Sequence, residues 1–121
     1  MITRQQDIAV TEQAALFGGT GVLKNSHFLR KEDCCDSGRL FARSTLAKGH
    51  SIGQHTHKGE FEVYYILSGT AKVCDNGEFH ELGAGDALLT KNGEYHSIEN
   101  VGEDDLQYIA LILFDKSSNS L

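Results

Sequence analysis

The sequence predicts an all-β fold, a sandwich or barrel of short strands. Three observations predict it. Turn signals recur from the middle of the chain onward, at Lys48-Gly49, Gly59, Ser68-Gly69, Asp75-Asn76-Gly77, Gly83 to Asp86, Asn92-Gly93 and Gly102. Most lie about 8–12 residues apart, the spacing of short strands in a sandwich or barrel. The stretches between them carry no helical period in their apolar residues. Proline is absent, so turns rest on Gly, Asn and Asp, and thirteen glycines are available for them.

Taken in order, the chain divides at Gly38. Residues 1–37 read as an N-terminal arm packing on the barrel. Within it, Thr11 to Phe17 (TEQAALF) predicts a short helix, capped by Thr11 and stopped by Gly18-Gly19. Gly18 to Gly21 is a loop, Asn25 to Lys31 an edge strand, and Glu32 to Gly38 a turn. Residues 38–114 form the barrel. Arg39 to Leu46 alternates, with Leu40, Ala42 and Leu46 on one side and Arg43 and Thr45 on the other. Asn76-Gly77 between Thr70–Asp75 and Glu78–Leu82 predicts a tight hairpin. Two strands are apolar on both faces, Val63 to Leu67 and Leu106 to Phe114. An antiparallel sheet with one wet face should alternate, so the arm or a second copy of the chain must cover them. Residues 115–121 (DKSSNSL) are polar and expected to fray.

At 121 residues the chain suits one domain, and 40% hydrophobic residues suffice for one core. Its formal charge of −6 and lack of any basic cluster argue against nucleic acid or an anionic membrane as partner. No apolar run approaches the ~18–20 residues of a membrane span. The N-terminus lacks the apolar core of a signal peptide, so the expected compartment is the cytoplasm. Cys34, Cys35 and Cys74 make an odd count with no disulfide framework and read as thiols in a reducing compartment.

The chemistry concentrates between Gly49 and Gly69, GHSIGQHTHKGEFEVYYILSG. His55 and His57 are two apart, so on a strand both imidazoles point to one face and can reach one ion. Glu62 lies an odd number of residues past His57, and an unbroken strand would turn it away. Gly59 is where the chain can reset that parity. Glu60 shares the parity of Glu62 and is its rival as ligand. Tyr64 and Ile66 share it too and should line any cavity at the site. A second stretch, GDALLTKNGEYHSIEN, places His96 soon after an Asn92-Gly93 turn. His27, His50 and His80 have no partner at ligand spacing and read as surface residues.

The first stretch fills every position of G-x5-H-x-H-x4-E-x6-G, from Gly49 to Gly69. The second matches G-x5-P-x-G-x2-H-x3-N, except that Lys91 stands where proline is usual. These are the two motifs of the cupins, in order, and from about Gly38 to Phe114 the chain resembles a small single-domain cupin. The resemblance implies a double-stranded β-helix, or jelly-roll barrel. It implies one divalent transition metal held by His55, His57, Glu62 and His96, with Mn, Fe, Zn, Ni and Cu all compatible with this donor set. Small cupins resembling this one are commonly homodimers. The resemblance extends to dioxygenases, decarboxylases and sugar isomerases. It therefore implies an enzyme acting on a small carboxylate, dicarbonyl or sugar-acid substrate, or else a binding module without turnover. Tyr64 and Glu60, and further out Glu94 and Tyr95, are the candidates for proton transfer.

Overall fold

The computed structural model describes residues 1–117. Ten strands occur in it: β1 (Val10–Ala14), β2 (Val22–His27), β3 (Gly38–Leu46), β4 (Ser51–Thr56), β5 (Glu60–Ser68), β6 (Ala71–Asp75), β7 (Glu78–Leu82), β8 (Ala87–Thr90), β9 (Tyr95–Asn100) and β10 (Leu106–Phe114). Every pairing is antiparallel. One sheet has the order β1-β2-β3-β10-β5-β8 and the other β4-β9-β6-β7. Their inner faces share one core. Leu46, Tyr64, Ile66, Leu106 and Tyr108 come from the larger sheet, and Ile52, Ala71, Val73 and Ile98 from the smaller. This is the expected all-β jelly roll.

Local sequence explains several turns. The β6–β7 hairpin closes on Asn76 (φ 52°) and Gly77 (φ 94°), the paired left-handed residues that a two-residue turn demands. Gly59, at φ 74°, breaks the chain between β4 and β5. Lys91 supplies something proline cannot. Its backbone N–H donates to Glu94 Oε1 at 2.8 Å, while Glu94 N–H returns to Lys91 O at 3.0 Å.

The arm differs from expectation. No helix forms over residues 11–17; Val10–Ala14 is a strand, followed by a 3-10 turn at Leu16–Gly18. A seven-residue helix is too short to sustain itself. Pairing with β2, from Val10↔Ser26 to Ala14↔Val22, gives this backbone its hydrogen bonds instead. The expected edge strand at Asn25 to Lys31 is displaced to Val22–His27 and lies inside the sheet, between β1 and β3. Its polar residues suggested an edge, yet Asn25 and Ser26 are buried, and Ser44 Oγ donates to Asn25 Oδ1 at 2.5 Å. The described part of the tail, residues 115–117, is tied down, since Asp115 N–H donates to Gly59 O at 3.0 Å. Residues 118–121 of the expected frayed tail lie outside the described residues.

The arm covers only the Phe41 corner of the outer face of the larger sheet, where Phe28 packs edge-on with ring centroids 5.1 Å apart. β1 and β2 extend the larger sheet sideways and do not lie over it. By register, Phe41, Val63, Tyr65, Leu89, Ile109 and Leu111 share its outer face. Tyr65 is 45% and Leu89 47% exposed. Among the described residues no helix is long and apolar enough to cross a membrane.

Candidate metal centre

His55, His57, Glu62 and His96 converge, their ligand atoms all within 4.8 Å of one another. Four local features bring them together. On β4, Ile52 pairs with Ile98 and His55 with His96, so three steps on β4 match two on β9. That bulge lets Ile52 and His55 face the same interior although they are an odd number apart. The period of two then carries the inward direction from His55 to His57. Gly59 resets the parity, and Glu60, Glu62, Tyr64 and Ile66 all turn inward. On β9, His96 lies opposite His55 and is fully buried.

Each ring is held from behind. His55 Nδ1 donates to Gly53 O at 2.8 Å and His57 Nδ1 to Glu60 Oε2 at 2.6 Å. His96 Nδ1 meets the buried hydroxyl of Thr90 at 2.7 Å. A carbonyl and a carboxylate only accept, so the protons of His55 and His57 sit on Nδ1 and each Nε2 presents a lone pair. Outer partners of this kind fix tautomer and ring orientation at metal sites.

The Nε2 atoms crowd one point. His57 and His96 Nε2 are 3.1 Å apart, and His96 and His55 Nε2 are 3.0 Å apart. Glu62 Oε1 is 2.9 Å from His57 Nε2 and 3.1 Å from His96 Nε2. Adjacent corners of an octahedron with bonds of about 2.1 Å are about 3.0 Å apart, whereas a tetrahedron would spread them to about 3.4 Å. The donor set and its spacing therefore fit one divalent transition ion. Lone pairs directed at one point, next to a carboxylate, are a donor arrangement that could hold a cation.

The electrostatics point the same way. Burial works to raise the Glu62 carboxyl, but hydrogen bonds and charges from His57 and His96 outweigh it and hold it below the usual carboxylate value. Burial lowers His55. For His57 burial also lowers, but the carboxylates of Glu62 and Glu60 win, and its pKa lies above the ordinary 6.5. Metal affinity should therefore fall with pH already from somewhat above 6.5, as protons compete for His57. The sign reverses for the metal-free protein. There the raised His57 contributes stability that is fully present below 6.5 and lost as pH rises through its folded value. Metal titrations and metal-free melts across pH 5 to 8 should show these opposite trends.

The site opens into a cavity of about 400 Å³ lined by residues of β1 to β5 and β10. Tyr64 lines it beside the centre; its ring stacks on His96 and its hydroxyl is 3.4 Å from His96 Nε2. Burial and the Glu62 charge raise the Tyr64 phenol far above its usual value, so it stays protonated. Ile66, expected to line the cavity, is instead sealed in the core. Glu60 is not among the lining residues either. Both its oxygens are engaged, Oε1 by Arg39 Nε at 2.8 Å and Oε2 by Arg39 Nη2 and His57 Nδ1. Glu94 and Tyr95 also lie away from the cavity.

Of the three histidines read as surface residues, only His80 is well exposed, beside Glu78 at 3.5 Å. His50 Nδ1 is 3.1 Å from the backbone N of Val22 and helps dock the arm. His27 lines the cavity and hydrogen-bonds Thr11 Oγ1 at 2.7 Å. Arg39, Asn25, Ser44 and Tyr108 line it as well and carry no motif in the sequence. For Ser44 the one signal that could have found it is strand parity with Leu40, Ala42 and Leu46. Phe17 stacks on His55 with ring centroids 4.2 Å apart. Its turn is clamped to β4 at Gly53, where an added Cβ would meet Phe17 O at 1.9 Å. Gly53→Ala should push the turn away and free the Phe17 ring, at a cost of about 1–3 kcal/mol in a denaturant titration.

A fold of two antiparallel sheets with three histidines and a glutamate at one end of its core defines a class. The cupin domain family model matches residues 42–112, and the chain belongs to the cupin family. It is 43% identical to the oxalate-binding protein of Thermotoga maritima over 113 residues, covering 93% of each chain. A solved Thermotoga maritima structure described as a predicted oxalate decarboxylase superposes with a TM-score of 0.89 at 43% identity, covering 95% of this chain and 100% of that one. The cupin domain of Schizosaccharomyces pombe Cnp3 shares the fold, with a TM-score of 0.72 at 18% identity over 90% of this chain and 72% of that one.

Proposed function

We propose that the protein binds a small carboxylate, of the oxalate class, directly on a divalent metal held by His55, His57, Glu62 and His96. The observation that carries this reading is the convergence of three outer-anchored Nε2 atoms and one buried carboxylate oxygen on a single point beside the cavity. Four protein ligands on an octahedral ion leave two positions, which suit a chelating acid. A divalent ion and one carboxylate leave the site at net charge about +1, which favours an anion despite the acidic surface. The oxalate-related names of the Thermotoga maritima relatives support the ligand class.

Binding without turnover is the reading the side chains favour. Apart from Glu62, itself a metal ligand, no carboxylate among the described residues lines the cavity. Glu60 is committed to Arg39 and His57 and serves to orient the latter. The Tyr64 hydroxyl favours a second reading, an enzyme of decarboxylase, dioxygenase or isomerase type in which it donates a proton. Calorimetry of oxalate into Mn(II)- and Fe(II)-loaded protein tests the first reading, with binding expected and none contradicting it. Product and oxygen assays on the same samples test the second. Turnover that falls about 10²–10⁴-fold in Tyr64→Phe with binding nearly unchanged would establish it.

The outer face of β10, β5 and β8, where Tyr65 and Leu89 are exposed, supports a homodimer through that face. An obligate interface of this kind buries about 2,000 Å² or more in total. Light scattering at micromolar concentration should give twice the chain mass, and Leu89→Lys should return the monomer.

A further inference from the structure

We infer that the cavity has a second pole, the guanidinium of Arg39, which holds the far carboxylate of a diacid whose near end sits on the metal. This rests on the small-acid reading above and narrows which acids the site selects.

Arg39 stands on β3 and lines the same cavity as His55, His57 and Glu62. Among the described residues it is the one lining side chain that carries a permanent positive charge. Its Nε and Nη2 donate to the two oxygens of Glu60, at 2.8 Å and 2.7 Å. A guanidinium has five N–H donors in a fixed plane. Two are used, and among the described residues no acceptor takes the other three. The Arg39 side chain is 44% exposed, so a ligand can reach it.

Position matters as much as charge. Glu60 Oε2 also accepts from His57 Nδ1 at 2.6 Å. Arg39 is therefore two hydrogen bonds from a metal-ligand ring and lines the same cavity as that ring. The bidentate pair fixes the fork before any ligand arrives, so little ordering cost remains. The pair is neutral overall, and the attraction comes from directed N–H groups, not from bare charge. The rest of the lining offers no rival of this kind. Thr11, Gln13, Asn25, Ser44 and Tyr108 are uncharged, and His27 is already hydrogen-bonded to Thr11 Oγ1 at 2.7 Å.

Two probes of equal length separate this role from a structural one: 2-oxoglutarate and 2-oxopentanoate. They share the chelating head, and only the first has a far carboxylate. Calorimetry on Mn(II)-loaded protein without oxygen should show wild type preferring 2-oxoglutarate by ~10-fold or more, the range of a charge-assisted hydrogen bond. In Arg39→Gln the ratio of the two affinities should collapse to near one. In Arg39→Lys, which keeps the charge but loses the fork, it should fall part of the way. Circular dichroism and manganese content show whether each variant is folded and loaded, and Arg39→Lys carries the test if Arg39→Gln is not. No preference in wild type would overturn the inference. So would variants that weaken both probes equally, because Arg39 would then act only through Glu60 on His57. Binding of oxalate but of neither longer acid would overturn it and leave the small-acid reading standing. Failure of oxalate and both probes on loaded wild type would overturn that reading, and this inference with it.

Discussion

His57→Ala should remove metal binding and leave the barrel folded. His57 gives one of four ligand atoms, with Nε2 2.9 Å from Glu62 Oε1 and 3.1 Å from His96 Nε2. Loss of an outer-shell partner alone typically costs about 10–100-fold in metal affinity, so loss of the ligand itself should exceed 100-fold. The fold should survive because Glu60, the partner left behind, keeps its two hydrogen bonds to Arg39. His96→Ala is the harsher change. It leaves the fully buried Thr90 hydroxyl without its 2.7 Å partner and strips Tyr64 of the ring it stacks on. An unpaired buried group and a cavity together should cost about 2–5 kcal/mol. Metal titration of both variants, with urea melts alongside, checks this ordering.

Metal removal should lower the melting temperature by on the order of 10–20 °C. Metal that binds only the folded chain adds about 4 kcal/mol at a thousandfold excess over its dissociation constant. For a domain of this size each kcal/mol moves the midpoint by roughly 3–5 °C. Bound metal takes the place of the contacts His57 and His96 make to Glu62 in the metal-free chain, at 2.9 Å and 3.1 Å, so part of the gain is offset by their loss. Scanning calorimetry before chelation, after it, and after metal return should show the loss and its reversal.

Much of this was legible from residue spacing. His-x-His on a strand, the parity break at Gly59 and the Asn76-Gly77 hairpin are local rules, and the structure follows them. The four converging ligands were named by the two cupin motifs. The β4 bulge that aims His55 was not legible, because nothing in SIGQH distinguishes a bulge from regular pairing. The role of Glu60 was also hidden. Parity placed it inward beside Glu62, but only tertiary contact shows Arg39 reaching it from β3 and His57 turning its Nδ1 toward it. The arm was misread because the helix preference of Glu12 to Leu16, real in each residue, yields to strand pairing with β2. His27 and Tyr108 line the cavity from strands far apart in sequence. No spacing rule could bring them to one place.

The claim that all else depends on is that these four residues hold one transition ion. Crystals of the protein loaded with Mn(II), measured at the manganese absorption edge, test it directly. One anomalous peak per chain is expected, about 2.1 Å from Nε2 of His55, His57 and His96 and from a Glu62 oxygen. A peak elsewhere, or no peak at this point in fully loaded protein, would contradict it.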